Sequence, residues 1–512
     1  MESAKIGWYR VAGILLLLLS SPVIGASVNS QLSLFSHTIE TGFRLTHPVL
    51  PVNLSGDAAK ELLAFGVDDA QGRWLAIYGL ESESGLYRQL FKQSLPQTMF
   101  AFDVTPVNDD FPQGLQSLYL LSSEQLFKLD VSGEQLLFQP LTEINPLVMT
   151  SRADFISRGN FVQDWNNDGL DDFIIAGLTQ AELFIQQEDT SLLSQSLPIK
   201  PQVLLYRDGA RYIEASLYFA DLNLDGRDDI VKIAEGELAL YAQRADGTFS
   251  TIAKYLPLSL AVSGLDWWNK RDAYGEALDQ SDLIYRKVES LKDINNDGLV
   301  DMVVRYTKSA GVLDRVNDYE LYLGEKGTQG ITFGKQASNV IRADGTLTGF
   351  ELVDIDDDKI DEILVSGFDI GLSQIIGALI SGSIDQDVYI FKMNADGEFP
   401  KKANVTKDVE LTFSLTSGQS GNPVVKLADL DGDGHQDLLL SDGEEALLLY
   451  LGRDNGKLFS ADKETLKVRL PSDGEMLTSE DLNHDGKSEL IIKYGRQDSK
   501  ALQSQFVVIM AR

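Results

Sequence analysis

A nine-residue acidic phrase recurs six times in this chain, and each copy opens onto a short apolar run. The copies occupy Asp164–Asp172, Asp221–Asp229, Asp293–Asp301, Asp354–Glu362, Asp429–Asp437 and Asp481–Glu489. They share the pattern D-x-[DN]-x-D-G-x-x-[DE], with Lys359 in place of glycine in the fourth copy. Recurrence at about 50 to 75 residues marks repeated supersecondary units, one acidic loop to a unit.

The residues after each phrase set its structural context. Phe173–Ile175, Ile230–Ile233, Met302–Val304, Ile363–Val365, Leu438–Leu440 and Leu490–Ile492 are short apolar runs, most of them closed by turn residues. Runs of this length bounded by glycine read as buried strands. A second beat comes next in most units: Leu204–Tyr206 with Asp208 and Gly209, Leu238–Tyr241 with Asp246 and Gly247, Val388–Phe391 with Asp396 and Gly397, and Leu447–Tyr450 with Asn455 and Gly456. Asp-Gly and Asn-Gly between apolar strands mark tight hairpins. Each unit is therefore expected to be a small antiparallel sheet of about four strands.

Sheets of that size need neighbours on both faces, and radial packing around an axis supplies them while leaving only short edges. The expected fold is an all-β propeller of seven or eight four-stranded blades. Upstream, 67–77 and 99–130 keep the loop-then-strand rhythm without the carboxylate ladder, which brings the beats to eight. The propeller is expected over 60–512, with insertions at about 251–290 and 367–387, and segment 27–59 is expected to add strands to the closing blade.

These phrases resemble the FG-GAP or VCBS repeats of integrin-α-type β-propellers and their bacterial secreted relatives. That resemblance implies a propeller, usually seven-bladed, with calcium in the acidic loops. It implies little about ligand or activity, because the fold hosts adhesins, lectins and some polysaccharide-active enzymes.

Calcium takes six to eight oxygens, and side chains at positions 1, 3, 5 and 9 with the backbone carbonyl of position 7 supply a cage of that type. The expected ligands are Asp164, Asn166, Asp168, Leu170 and Asp172 in loop one, and Asp221, Asn223, Asp225, Arg227 and Asp229 in loop two. In loop three they are Asp293, Asn295, Asp297, Leu299 and Asp301, and in loop four Asp354, Asp356, Asp358, Ile360 and Glu362. Loops five and six offer Asp429, Asp431, Asp433, His435 and Asp437, then Asp481, Asn483, Asp485, Lys487 and Glu489. Up to six structural Ca²⁺ ions are expected, the fourth bound more weakly because Lys359 brings both backbone strain and a competing charge. An EF-hand is excluded, since its position 12 needs a bidentate Glu. Here that column reads Ile175, Lys232, Val304, Val365, Leu440 and Ile492.

Charge narrows the partners. The 512 residues carry 44 Lys and Arg against 77 Asp and Glu, a net charge of −33. Such a surface repels phosphate backbones and excludes nucleic acid as a partner. The chain has no cysteine, which removes disulfides, thiol catalysis and Cys-ligated zinc together. Lys5 and Arg10 precede the apolar run Val11–Leu19, and small residues come after it at Gly25 and Ala26. Segment 1–26 therefore reads as a signal peptide, implying export to the periplasm, the cell surface or the medium. No later run is long enough to span a bilayer as a helix, so the mature chain is expected to have no transmembrane segment.

Recognition is expected where the repeat is interrupted. Trp267 and Trp268 stand beside Lys270 and Arg271 in the first insertion. The group suits sugar stacking or an aromatic protein contact, and equally a Trp pair buried between blades. The favoured function is an exported calcium-binding scaffold for a protein or glycan ligand. The alternative is a secreted polysaccharide-active lyase or glycoside hydrolase. No G-x-S-x-G, H-E-x-x-H or phosphate-binding glycine loop occurs, and no catalytic residue is assigned.

Overall fold

Strands dominate because the apolar runs are too short for helices and are cut by turns that reverse the chain. The computed structural model describes residues 32–107, 114–145, 152, 154–311, 314–343, 346–368, 383–414, 419–453 and 457–511. Segment 1–26 and the middle of the second insertion, 369–382, lie outside the described residues. Among the described residues regular structure is strand, apart from three short 3-10 turns at Trp267–Asn269, Gly474–Met476 and Leu502–Ser504.

Eight antiparallel sheets succeed one another along the chain. Blade one holds Arg44–Leu45, Leu50–Val52, Glu61–Val67, Arg73–Glu81 and Leu86–Ser94. Blade two holds Met99–Val104, Leu118–Ser122, Gln125–Asp130 and Leu137–Glu143, with Ser157–Arg158 added in parallel. Blades three and four are Val162–Gln163, Asp172–Ala176, Ala181–Gln186 and Leu192–Leu197, then Leu217–Ala220, Asp229–Ala234, Glu237–Tyr241 and Lys254–Pro257. Blade five comprises Leu283–Lys292, Asp301–Gly311, Asp314–Tyr322 and Asn339–Ile341. Blade six comprises Thr346–Val353, Glu362–Phe368, Ser383–Phe391, Val405–Ser414 and Gln419–Ser420. Blade seven is Val425–Ala428, Asp437–Ser441, Ala446–Tyr450 and Glu464–Lys467. Blade eight is Leu477–Glu480, Glu489–Lys493 and Gln505–Ala511, completed by Leu34–Glu40 from the other end of the chain.

The hydrophobic core is divided in the same way. Eight apolar clusters occur among the described residues, and each joins two consecutive blades. Phe65 and Phe102 stack with ring centroids 3.9 Å apart between blades one and two. Ile39, Tyr78, Ile491 and Phe506 close the ring between blades eight and one. A sheet of four strands is not stable with one face in water, so a closed circle of shared clusters is what lets every blade bury both faces.

One local reading differs. Leu204–Tyr206 and its Asp-Gly turn do not form the second beat of blade three, which is Ala181–Gln186. Gln202–Tyr206 pairs with Gly209–Ile213 as a separate two-stranded hairpin between blades three and four. Arg207 and Asp208 make the hairpin's turn, with Gly209 already paired to Tyr206, and sheet membership depends on partners that the turn does not specify.

Closure rests on a seven-residue ladder from Leu34↔Ala511 to Glu40↔Gln505. Deleting residues 34–40 is expected to bare the edge of Gln505–Ala511, lower the melting temperature and promote self-association. Size-exclusion chromatography with a thermal melt checks this, and a monomer with an unchanged melt would exclude the ladder as the ring's closure.

Candidate functional site

Each acidic phrase connects the first and second strands of its blade, and the six loops share one backbone. Positions 4 and 6 take positive φ throughout: Asn167, Leu224, Asn296, Asp357, Gly432 and His484 at the former, Gly169, Gly226, Gly298, Lys359, Gly434 and Gly486 at the latter. Lys359 holds φ 70°, so the fourth loop keeps the fold of its siblings despite a side chain at the glycine position. Its ammonium turns outward to Asp357 at 3.2 Å and is 74% exposed, away from the loop interior.

Carboxylates hold this backbone. The position 1 Asp accepts from the position 6 N–H in every loop, at 2.7 Å for Asp164 and Asp221, 2.8 Å for Asp293, 2.9 Å for Asp354 and Asp429, and 3.0 Å for Asp481. The position 5 Asp accepts from the N–H of position 7, namely Leu170, Arg227, Leu299, Ile360, His435 and Lys487, at 2.9–3.1 Å. The position 9 carboxylates are fully buried in all six loops. Asp172, Asp301 and Asp437 each accept from the N–H of position 2 and from an N–H at or just past the end of the third strand, at 2.7–3.1 Å. In loop two the Asn223 amide takes the first of these roles on Asp229.

Position 2 is an apolar plug. Trp165, Leu222, Ile294, Ile355, Leu430 and Leu482 are all buried. The carbonyls of Ile355 and Leu482 accept from Gln436 and Lys60 of the next blade, and that of Leu222 from Ile331 on the two-stranded hairpin Gly324–Gly327 and Gly330–Phe333 inserted in blade five, at 2.8–2.9 Å. The loops thus tie neighbouring blades together as well as shaping themselves.

The donor sets fit an oxygen-preferring cation where carboxylate oxygens remain without partners. In loop five Asp429, Asp431 and Asp437 bring ligand oxygens within 4.8 Å of one another, and Asp431 Oδ1 is buried without a hydrogen bond. In loop six Asp481 Oδ1 and Glu489 Oε1 are likewise unpartnered. Loop four gathers Asp354, Asp356 and Glu362 in the same way, but there the Lys392 ammonium reaches Asp356 and Asp358 at 2.7 Å and Glu362 at 3.2 Å. Asn166, Asn295 and Asn483 instead donate to their position 5 neighbours Asp168, Asp297 and Asp485. In loop two the Arg227 guanidinium pairs with Asp225 at 2.6 Å.

Burial sets the electrostatics. It pushes Asp172, Asp229, Glu362, Asp437 and Glu489 up to about 7 and Asp301 to about 6, reinforced by the other carboxylates of each loop and opposed by the N–H donors. Clustered anions out of water favour protons or a cation.

The first insertion packs against the extra hairpin. Trp267 is 8% exposed and Trp268 is 48% exposed, so the pair divides into a core ring and a surface ring, in edge contact at 5.5 Å. Arg305 lies 5.2 Å from the Trp268 ring centre. Lys270 pairs with Glu235, and Arg271 stacks on Tyr206 at 4.6 Å, so neither charge expected there is free. Tyr274 is 81% exposed on the same insertion, and Val203, Leu205 and Tyr212 are exposed on the hairpin. The hairpin face escapes sequence reading because its residues look like an ordinary buried strand.

The FG-GAP-like repeat family matches residues 164–231 and 429–492, which contain loops one, two, five and six. The chain is an eight-bladed β-propeller carrying FG-GAP-like repeats. No curated protein matches it. Among solved structures, this propeller is similar to an Agrocybe aegerita lectin that recognises non-reducing terminal N-acetylglucosamine, at 15% identity and TM-score 0.34, over 83% of this chain and 81% of that one. It is also similar to a putative 6-phosphogluconolactonase from Bacteroides fragilis, at 12% identity and TM-score 0.35, over 81% and 97%. A third is Sqt1 from Chaetomium thermophilum, at 9% identity and TM-score 0.39, over 92% and 97%. Likeness at this level says nothing of ligand or reaction. No helix among the described residues is long and apolar enough to cross a membrane.

Two predictions separate the roles inside a loop. Asp437→Ala strips two buried N–H groups of their acceptor and is expected to cost about 2–4 kcal/mol in urea unfolding, with or without metal. Asp431→Ala is expected to leave the melt in EDTA nearly unchanged while reducing the rise produced by Ca²⁺. The position 9 carboxylates also set a pH dependence. Their folded pKa values lie above the usual carboxylate range, so the folded state binds more protons and stability falls as pH rises through roughly 4 to 7. In EDTA the melting temperature is therefore expected to fall between about pH 5 and pH 8, and saturating Ca²⁺ to flatten that fall, because a cation holds the charged form. A melt in EDTA that rises over this interval would refute the assignment.

Proposed function

We propose that this chain is an exported, calcium-stabilised propeller that presents a protein or glycan ligand site on loops between its blades. The observation that carries the calcium part is the repeated loop in which paired and unpartnered carboxylate oxygens stand together, clearest at Asp429, Asp431 and Asp437. Oxygen donors select a hard cation such as Ca²⁺ over transition metals. In a chain with net charge −33 and no cysteine, bound cations offset carboxylate repulsion and supply the rigidity that disulfides give other exported proteins. FG-GAP repeat proteins are commonly extracellular or at the cell surface, and the pattern of residues 1–26 supports export.

Ligand recognition belongs on the broken part of the repeat, where a rigid ring carries loops free to vary. Trp268, Tyr274 and Tyr212 expose aromatic surface there. With Lys270 and Arg271 already partnered, the surface suits a neutral sugar ring or an apolar protein side chain better than an anion.

Two measurements test this reading. The melting temperature is expected to rise by many degrees from EDTA to millimolar Ca²⁺, and an unchanged melt with no calcium by elemental analysis refutes the cation. On glycan and peptide arrays, Trp268→Ala with Tyr274→Ala is expected to abolish binding and leave the melt intact. Trp267→Ala is expected to lower the melt, as a core ring should. Retained binding by a folded Trp268→Ala, Tyr274→Ala protein moves the site elsewhere on the ring.

A further inference from the structure

We propose that the fourth acidic loop carries its cation within the chain: the Lys392 ammonium stands where the other loops take Ca²⁺, and loop four folds without metal. This rests on the calcium reading of the other loops and goes beyond it, since by sequence loop four has one of the fullest carboxylate sets.

Register identifies Lys392 as the departure. In each blade the residue after the loop pairs with a residue on the third strand: Phe173↔Phe184, Ile230↔Tyr241, Met302↔Tyr322, Ile363↔Phe391, Leu438↔Tyr450 and Leu490↔Ile509. The next residue in the chain, near or just past the end of that strand, is Ile185, Ala242, Leu323, Leu451 or Met510 in the five other blades and Lys392 in blade six. Five apolar side chains and one ammonium therefore occupy equivalent positions beside the loop.

The contacts account for the whole donor set. Asp354 accepts from the N–H groups of Asp358 and Lys359 at 3.1 and 2.9 Å. Asp356 accepts from Lys392 Nζ through both oxygens at 2.7 Å. Asp358 accepts from Ile360 N at 2.9 Å and from Lys392 Nζ at 2.7 Å, and Glu362 from Ile355 N at 2.8 Å and Lys392 Nζ at 3.2 Å. Every oxygen of these four carboxylates lies within hydrogen-bond distance of a donor, with the three N–H groups of Lys392 shared among four of them, whereas loops five and six keep buried oxygens with none. Calcium requires six to eight oxygens at ~2.3–2.6 Å, so it and an ammonium drawn to the same carboxylates exclude each other. Of the remaining acids of loop four, Asp357 pairs with Lys359, and Asp361 forms an ion pair with Lys292 at 2.5 Å although its Oδ2 makes no hydrogen bond.

The test is a Ca²⁺ count on the EDTA-stripped full chain, by titration calorimetry with elemental analysis, beside melts in EDTA and in Ca²⁺. Lys392→Leu is expected to bind one more equivalent than the parent, to melt lower in EDTA and to recover in Ca²⁺. Asp356→Asn is expected to leave the parent's count unchanged, while Asp431→Asn lowers it by one. Loss of one equivalent in Asp356→Asn overturns the proposal, as does a Lys392→Leu protein with the parent's count and the parent's melt in EDTA. If Lys392→Leu does not fold in EDTA, Lys392→Gln takes its place and the Asp356→Asn count still decides. A parent that binds no Ca²⁺, with Asp431→Asn indistinguishable from it, refutes the calcium reading instead. The EDTA melt of the Lys392 variants then decides the lysine's role by itself.

Discussion

A carboxylate with no access to water opens the second strand of six of the eight blades, and Glu61, 4% exposed, opens that of blade one. At Asp172, Asp301 and Asp437 its two oxygens clamp the start of the acidic loop and the end of the third strand. That clamp fixes where the loop leaves the sheet, and so which side chains point into its centre. The same burial makes the negative charge expensive, so the site that gives the blade its shape also creates the demand for a positive charge. Loops five and six leave that demand open in the form of bare carboxylate oxygens, and loop four meets it with lysine.

Blades one and two lack the acidic phrase in sequence. In blade two, Asp103 accepts from the N–H groups of Phe161 and Val162 at 2.6 and 3.0 Å, reaching across to the first strand of blade three. In blade one, between the first and second strands, Glu61 accepts from Leu54 N at 2.8 Å and from the Ser55 hydroxyl at 2.5 Å, as the position 9 carboxylates do elsewhere. Glu61 thus performs the backbone anchoring in blade one with fewer acids around it, and the additional acids of the other six loops go beyond what closing a turn requires. That excess is what supports reading them as cation ligands.

Much of this is open to inspection in the amino-acid order. The six phrases, the apolar run after each and the two weaker upstream beats are local features, and local features determine strands and turns. The blade count needs more, because whether eight beats make eight blades depends on Leu34–Glu40 finding Gln505–Ala511 across nearly the whole chain. The hairpin at 202–213 misleads because an Asp-Gly turn looks the same inside a blade and outside one. Lys392 is invisible in sequence for a related reason: it is 30 residues from Glu362 and becomes its neighbour only through cross-strand register. Trp267 and Trp268 are adjacent in sequence, yet the 3-10 turn they share sends one inward and the other outward.

The closing ladder has a mechanical side. Leu34 faces Ala511 and Glu40 faces Gln505, so the two strands that seal the ring enter and leave blade eight at the same corner. Tension applied between those strand ends would load the ladder one pair at a time, as in opening a zipper, instead of shearing seven pairs together. The ring is therefore built to resist heat and dilution through its eight shared cores, while a pull on that corner meets it at its weakest geometry. An attachment elsewhere on the circle would spare the seam.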